Sequence, residues 1–233
     1  KQQKMIGELA EHSIYFGVLL SLVAYGVGLW LKRLTGWSLV NPLFIAIVLV
    51  ISTLLLFDIN YDTYSRGADI INYLLTPSTI CLALPLYQQL ELLKRNYKAV
   101  MAGIISGALS SVCIVLLLAV LLGFDHASYV TFLPKSITTA IGIGVSKELG
   151  GYVSISVAVI ILTGVFGGIV CEKIFKWLHI DEPIARGVAL GTASHAIGTS
   201  KAMEFGVVEG SMSSLSIVVC GIITVILAPI FSH

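Results

Sequence analysis

The chain has 233 residues, 57% of them hydrophobic and only 12% charged, with a formal net charge of +1. Soluble domains are about a quarter charged, so this chain cannot coat a water-soluble globule of its size, and its surplus apolar surface points to lipid. The lack of a basic stripe excludes nucleic-acid binding, and four scattered cysteines (Cys81, Cys113, Cys171, Cys220) without C-x-x-C spacing argue against a zinc site or a disulfide framework.

A helical crossing needs roughly 20 mostly apolar residues. Tyr15–Leu31 with its flanks qualifies and stops at Lys32 and Arg33. Asn41-Pro42 opens a second span that runs to Phe57, because a proline in a first helical turn lacks only an N–H that would have no partner. The polar run "DINYDTYSRGAD", Asp58 to Asp69, is expected to be a loop. Ile70–Gln89 is apolar but interrupted by Thr76, Pro77, Ser78, Thr79 and Pro85. Lys94, Arg95 and Lys98 precede a clean span, Ala99–Leu122. Phe132–Gly151 is mixed, "FLPKSITTAIGIGVSKELGG", and the spans Val153–Leu178, Ile184–Gly206 and Met212–Ile230 complete the chain. The expected fold is an all-α membrane protein of seven to eight transmembrane segments, forming one transmembrane domain over residues 1–233, with no cleavable signal pattern.

Lys and Arg favour cytoplasmic loops. The clusters Lys32/Arg33 and Lys94/Arg95/Lys98 are two spans apart and share a side. Lys173/Lys176/Arg186 joins them only if residues 131–151 are a re-entrant or half-crossing element, which gives seven crossings with the N-terminus outside; Lys1 and Lys4 count against this orientation. Three landmark pairs, Pro42/Val153, Thr76/Thr192 and Lys98/Ser211, are separated by 111, 116 and 113 residues. The near-constant spacing suggests halves 42–122 and 153–231. Three crossings per half would invert the second relative to the first, and inverted repeats with interrupted helices are a transporter architecture.

Candidate chemistry sits in three polar breaks. Irregular backbone at membrane depth survives only where protein or a polar cavity satisfies it. The breaks offer Thr76, Ser78 and Thr79; Lys135, Ser136, Thr138 and Thr139; and Thr192, Ser194, His195 and Thr199, the last set in "LGTASHAIGTSKAMEFG". Their hydroxyls and helix N-termini suit a bound anion. The plainer reading is tight packing by Gly191 and Gly198, with hydroxyls bonded to their own helices. His195 is either a proton-carrying group or a neutral bridge between helices. Lys135 and Lys201 are anion partners unless they snorkel to the interface; Glu172, Glu204 and Glu209 read as interfacial or loop charges, and Arg186 as an anchor. No enzyme motif is present. Adjacent Ser194 and His195 point about 100° apart on a helix and cannot form a dyad. No cofactor or metal is expected.

Four stretches, "NPLFIAIVLVI", "LLTPSTICLALPLYQQLELLKRN", "LPKSITTAIGIGVSKELGG" and "ARGVALGTASHAIGTSKAMEFGVVEGSMSSL", resemble the bacterial LrgB/CidB family over Asn41 to Pro229. Where the family pattern has proline after Thr-Thr, this chain has Ala140 and Ile141, and Glu172 replaces an apolar residue. The resemblance implies a multi-pass protein of the bacterial inner membrane, paired with a small holin-like LrgA/CidA partner. It also implies a holin- or antiholin-like role in murein hydrolase export and autolysis. Relatives are implicated in pyruvate uptake, and the related plastid protein moves glycolate and glycerate. The expectation is therefore a carrier of small carboxylates. The alternatives are a regulator of a partner pore, docking through Gly103-x-x-x-Gly107, and a self-assembling homo-oligomeric pore.

Overall fold

The computed structural model describes residues 13, 15–36, 40–81 and 83–232. Lys1 and Lys4, weighed above for orientation, lie outside the described residues, as does the side chain of Thr79. Among the described residues every regular element is a helix. The chain divides into two compact units, one ending at Ile80 and one beginning at Cys81.

The first unit holds α1 (Phe16–Thr35), α2 (Pro42–Leu56), α3 (Tyr61–Tyr73) and most of α4 (Leu75–Cys81). Gly36 closes α1 in the left-handed conformation, φ 62°, with its N–H on Lys32 O at 3.0 Å. Asn41 caps α2 as its sequence indicates, accepting from the N–H groups of Leu43 (2.9 Å) and Phe44 (3.3 Å). The polar run expected as a loop is mostly helix α3. Asn60 caps it, and Tyr64 and Ser21 share a 2.8 Å hydroxyl contact where α3 crosses α1 at Gly17. A polar segment with one such packed face is a helix laid on a neighbour, which polarity alone does not distinguish from a turn. The "TPST" break is likewise helical within α4. Pro77 falls in its first turn, and a turn at Leu74 precedes the helix.

The second unit comprises α5 (Ala83–Gln88), α6 (Leu90–Leu122), α7 (His126–Phe132), α8 (Thr139–Glu148), α9 (Val153–Trp177), α10 (Pro183–Phe205) and α11 (Val207–Phe231). Helices α1, α6, α9 and α11 are long and apolar enough to cross a membrane, and α2 is a shorter apolar helix. At 1.5 Å per residue, α6 is about 50 Å long, well beyond a hydrocarbon core of about 30 Å. Lys94, Arg95 and Lys98 ride on its first turns. Val100, Ile104, Ala108, Val112, Val115 and Ala119 form one buried stripe along α6, while Leu117, Leu118 and Leu121 on other faces stay exposed. A stripe at helical spacing packs inward and leaves the remaining leucines for lipid.

Two segments of this unit fold back on themselves. The expected span Ile184–Gly206 is not one rod. The backbone of α10 leaves helical geometry at His195, φ 42° and ψ −133°. Arg186 lies 5.8 Å from the centre of the Phe175 ring, and the Phe205 ring lies 6.2 Å from that same ring. On a continuous helix residues 186 and 205 would be about 28 Å apart. The arms 183–194 and 196–205 therefore form a hairpin with its tip at His195, and both ends return to the end of α9. The segment 126–148 does the same from the other end of α9. Ser156 donates to Thr131 O at 2.8 Å and accepts from the Ser146 hydroxyl at 2.7 Å, joining α7 and α8 at one point although fifteen residues separate them. Its tip is the irregular stretch 133–138, which contains Pro134, although the proline after Thr139 is missing.

Candidate functional site

The tip of the α10 hairpin is seated by absent side chains on α9. Gly164 leaves room for the His195 ring: a Cβ there would come within 2.8 Å of Nε2. Gly167 leaves room for Ser194, whose Oγ would overlap any Cβ at 167. With the ring so close, His195 Nε2–H donates to Ile160 O at 2.9 Å. The carbonyl can only accept, so this bond fixes the imidazole as a bridge from hairpin to α9. Thr199 donates to His195 O at 3.0 Å and meets Ser213 Oγ at 2.7 Å, tying the return arm to α11. Gly187 and Gly191 bring the first arm against the backbone of Glu209 and Ser213 on α11. Gly191 and Gly198 are thus packing positions, and the unwinding falls between them at His195.

The outer end of this hairpin carries the charges. Lys201 pairs with Glu172 at 2.8 Å and Glu204 at 2.9 Å and lies 5.1 Å over the Phe205 ring. Lys201 is therefore a strut between the return arm and α9, with Glu172 as its partner on α9. Arg186 donates to Ile180 O at 2.7 Å and to Asp181 at 2.9 Å, as an anchor would. Glu209, read as a loop charge, is buried in the first turn of α11.

The two hairpin tips converge on one groove. It has a volume of about 820 Å³ and runs along α6 from Asn96 to Ile114, with Lys135, Ser136 and the first arm of α10 as its other walls. Half-buried Lys135 donates to Ser136 Oγ at 2.9 Å and to Ser111 Oγ at 3.1 Å, and Ser111 donates to Ser136 at 3.0 Å. No carboxylate lies within ion-pair distance of Lys135 among the described residues. An ammonium has three N–H groups and two are engaged here, so one remains for an anion in the groove. The wall is closed by small residues: a Cβ on Gly103 would stand 3.1 Å from Val188, and one on Gly107 3.1 Å from Thr192 Oγ1. The Gly103-x-x-x-Gly107 face, weighed as a partner-docking surface, is thus packed against this chain's own α10.

Of the residues singled out from sequence, Lys135, Ser136 and Thr192 line the groove. Thr192 donates to Val188 O at 2.7 Å, so it offers the groove its methyl and its lone pairs. Ser194, His195 and Thr199 are buried behind the wall and position it. Thr138 and Thr139 begin α8 and are half-buried. Thr76 lines a separate hollow in the first unit, and Ser78 donates to Leu74 O at 2.7 Å within its own helix. Ser111 was missed. In "SGALSS" its neighbours Ser106 and Ser110 return to Gly103 O and Gly107 O, as helix serines commonly do, and only Ser111 turns to another element.

The model of the LrgB-like family matches residues 21–233. The chain belongs to the LrgB-like family. It is 41% identical over 220 residues to "Antiholin-like protein LrgB" of Bacillus subtilis strain 168, covering 94% of this chain and 95% of that protein. It is 37% identical over 218 residues to the proteins of the same name from Bacillus cereus strain B4264 and Bacillus anthracis strain CDC 684, covering 93% of this chain and 95% of each. No solved structure matches it. This LrgB-like protein is all-helical over its described residues and, with several apolar helices of crossing length, a multi-pass membrane protein.

Proposed function

We propose that this LrgB-like protein carries small carboxylates of the pyruvate, glycolate and glycerate class across the bacterial inner membrane. The observation that carries the reading is Lys135, an ammonium held by Ser111 and Ser136 in a groove between α6 and a hairpin tip, with no protein carboxylate paired to it among the described residues. A cation at membrane depth costs about 2.5–3.5 kcal/mol on insertion scales, and an anionic cargo offsets that cost. The two hairpins enter from opposite ends of α9, which supports a half-crossing element at 131–151 and the inverted, interrupted architecture of secondary carriers. It also brings Lys94, Arg95, Lys98, Lys173, Lys176 and Arg186 to one end of the second unit, in keeping with a cytoplasmic side there. Seven to eight segments in a single domain, with halves at 42–122 and 153–231, complete the proposed architecture. A small LrgA/CidA-like membrane protein is its partner, through which carboxylate movement connects to control of murein hydrolase activity and autolysis; self-association is compatible with this arrangement.

The second reading is a regulator of that partner's pore without transport of its own. The relatives' shared name, antiholin-like, favours it. Uptake of radiolabelled pyruvate into liposomes separates the two. The carrier reading expects saturable uptake over protein-free liposomes, with the small partner present. No protein-dependent flux of pyruvate, glycolate or glycerate in those liposomes would reject it.

A further inference from the structure

The groove is chemically lopsided. Lys135, Ser111 and Ser136 lie at one end, and Asn96 and Glu182 at the other. From Ser111 to Asn96 is fifteen residues of α6, about 22 Å, far longer than a two- or three-carbon acid requires. The wall between carries no second cation. Its polar side chains are hydroxyls whose protons are already committed: Ser106 to Gly103 O and Ser110 to Gly107 O, both at 3.0 Å, and Thr192 to Val188 O at 2.7 Å. What faces a ligand there is methyl, methylene and Cα surface from Ala99, Val100, Gly103, Ala185, Val188 and Ala189. A second carboxylate placed along this wall would lose its water without gaining a donor, and towards the far end it would meet Glu182. An alkyl chain would gain by burial, at about 25 cal/mol per Å².

We propose that the groove selects monocarboxylates with an unbranched apolar tail, of medium as well as short length, and discriminates against dicarboxylates of equal length. Lys135 takes the head, and the wall formed by α6 and the first arm of α10 takes the tail. This rests on the carboxylate reading of the groove and extends it from charge to shape.

The test uses the full chain in lipid nanodiscs with a photoreactive diazirine analogue of octanoate. Propionate, octanoate and suberate, the eight-carbon dicarboxylate, serve as competitors. Octanoate is expected to displace the label at least tenfold more effectively than either of the others, with labelled peptides drawn from 99–111 or 185–193. Ser106→Phe, at an exposed position on the groove five residues of α6 from Ser111, about 7.5 Å, is expected to weaken octanoate about tenfold more than propionate. Suberate matching octanoate would overturn the proposal. So would labelling that no acid displaces, or a Ser106→Phe protein that treats both monocarboxylates alike. Pyruvate flux without an octanoate preference would overturn this proposal and leave the carrier reading standing; octanoate preference without any flux would do the reverse.

Discussion

Lys135→Met is expected to lower carboxylate affinity roughly tenfold to a hundredfold and to reduce flux in proportion. Met keeps the length and apolar stem of the side chain and removes only the ammonium. A hydrogen bond to a charged group contributes about 1.5–3 kcal/mol, which converts to that range. Because Ser111 and Ser136 also hydrogen-bond each other at 3.0 Å, the variant retains a partner for both hydroxyls and should fold. Equilibrium binding of labelled pyruvate to purified protein provides the check, with thermal unfolding run beside it. Unchanged affinity in a folded Lys135→Met protein would remove the groove's cation from recognition altogether.

The largest stability effect is expected at Gly191. A Cβ there collides with Ser213 O and would sit 2.7 Å from the Ser216 Cβ. The main obstacle is backbone, so no rotamer change relieves it, and the first arm of α10 must move away from α11. Overpacking of this kind costs about 1–3 kcal/mol, only partly offset by the better helix propensity of alanine, up to about 1 kcal/mol. Gly191→Ala should lower the thermal midpoint in detergent by several degrees and weaken carboxylate binding, because the displaced arm is the groove wall. Gly144→Ala is the matched control: it lies in a helix with nothing within 4 Å of its Cβ position, and its midpoint should stay or rise. Equal midpoints for the two variants would contradict the close seating of α10 on α11.

The sequence made the hairpin tips legible and their path illegible. Lys135, Ser136 and His195 stand out because ionisable and hydroxyl side chains are costly in an apolar segment, and both stretches are indeed irregular. That α10 doubles back depends on one non-glycine residue at φ 42°. Composition gives no sign of such a residue, and the glycines that drew notice serve packing instead. A hydrophobicity count treats the two arms of such a hairpin as one crossing, which is how Ile184–Gly206 came to be expected as a span. The polar run at Asp58–Asp69 failed in the opposite sense: its charges masked an amphipathic helix whose packed face, with Tyr64 on it, rests on Gly17 and Ser21. Ser111 was hidden because two nearby serines of the same helix do bond to their own carbonyls, and only the neighbouring hairpin tip distinguishes the third. The pairing of Glu172 with Lys201 was out of reach for the same reason, since twenty-nine residues and a reversal of direction separate them.

The most direct measurement is a density map of the protein in nanodiscs with saturating pyruvate. The account predicts an ordered carboxylate with an oxygen within hydrogen-bonding distance of Lys135 Nζ, between α6 and the first arm of α10. A carboxylate ordered elsewhere, or a partner's helix lying along α6 and filling the groove, would contradict it.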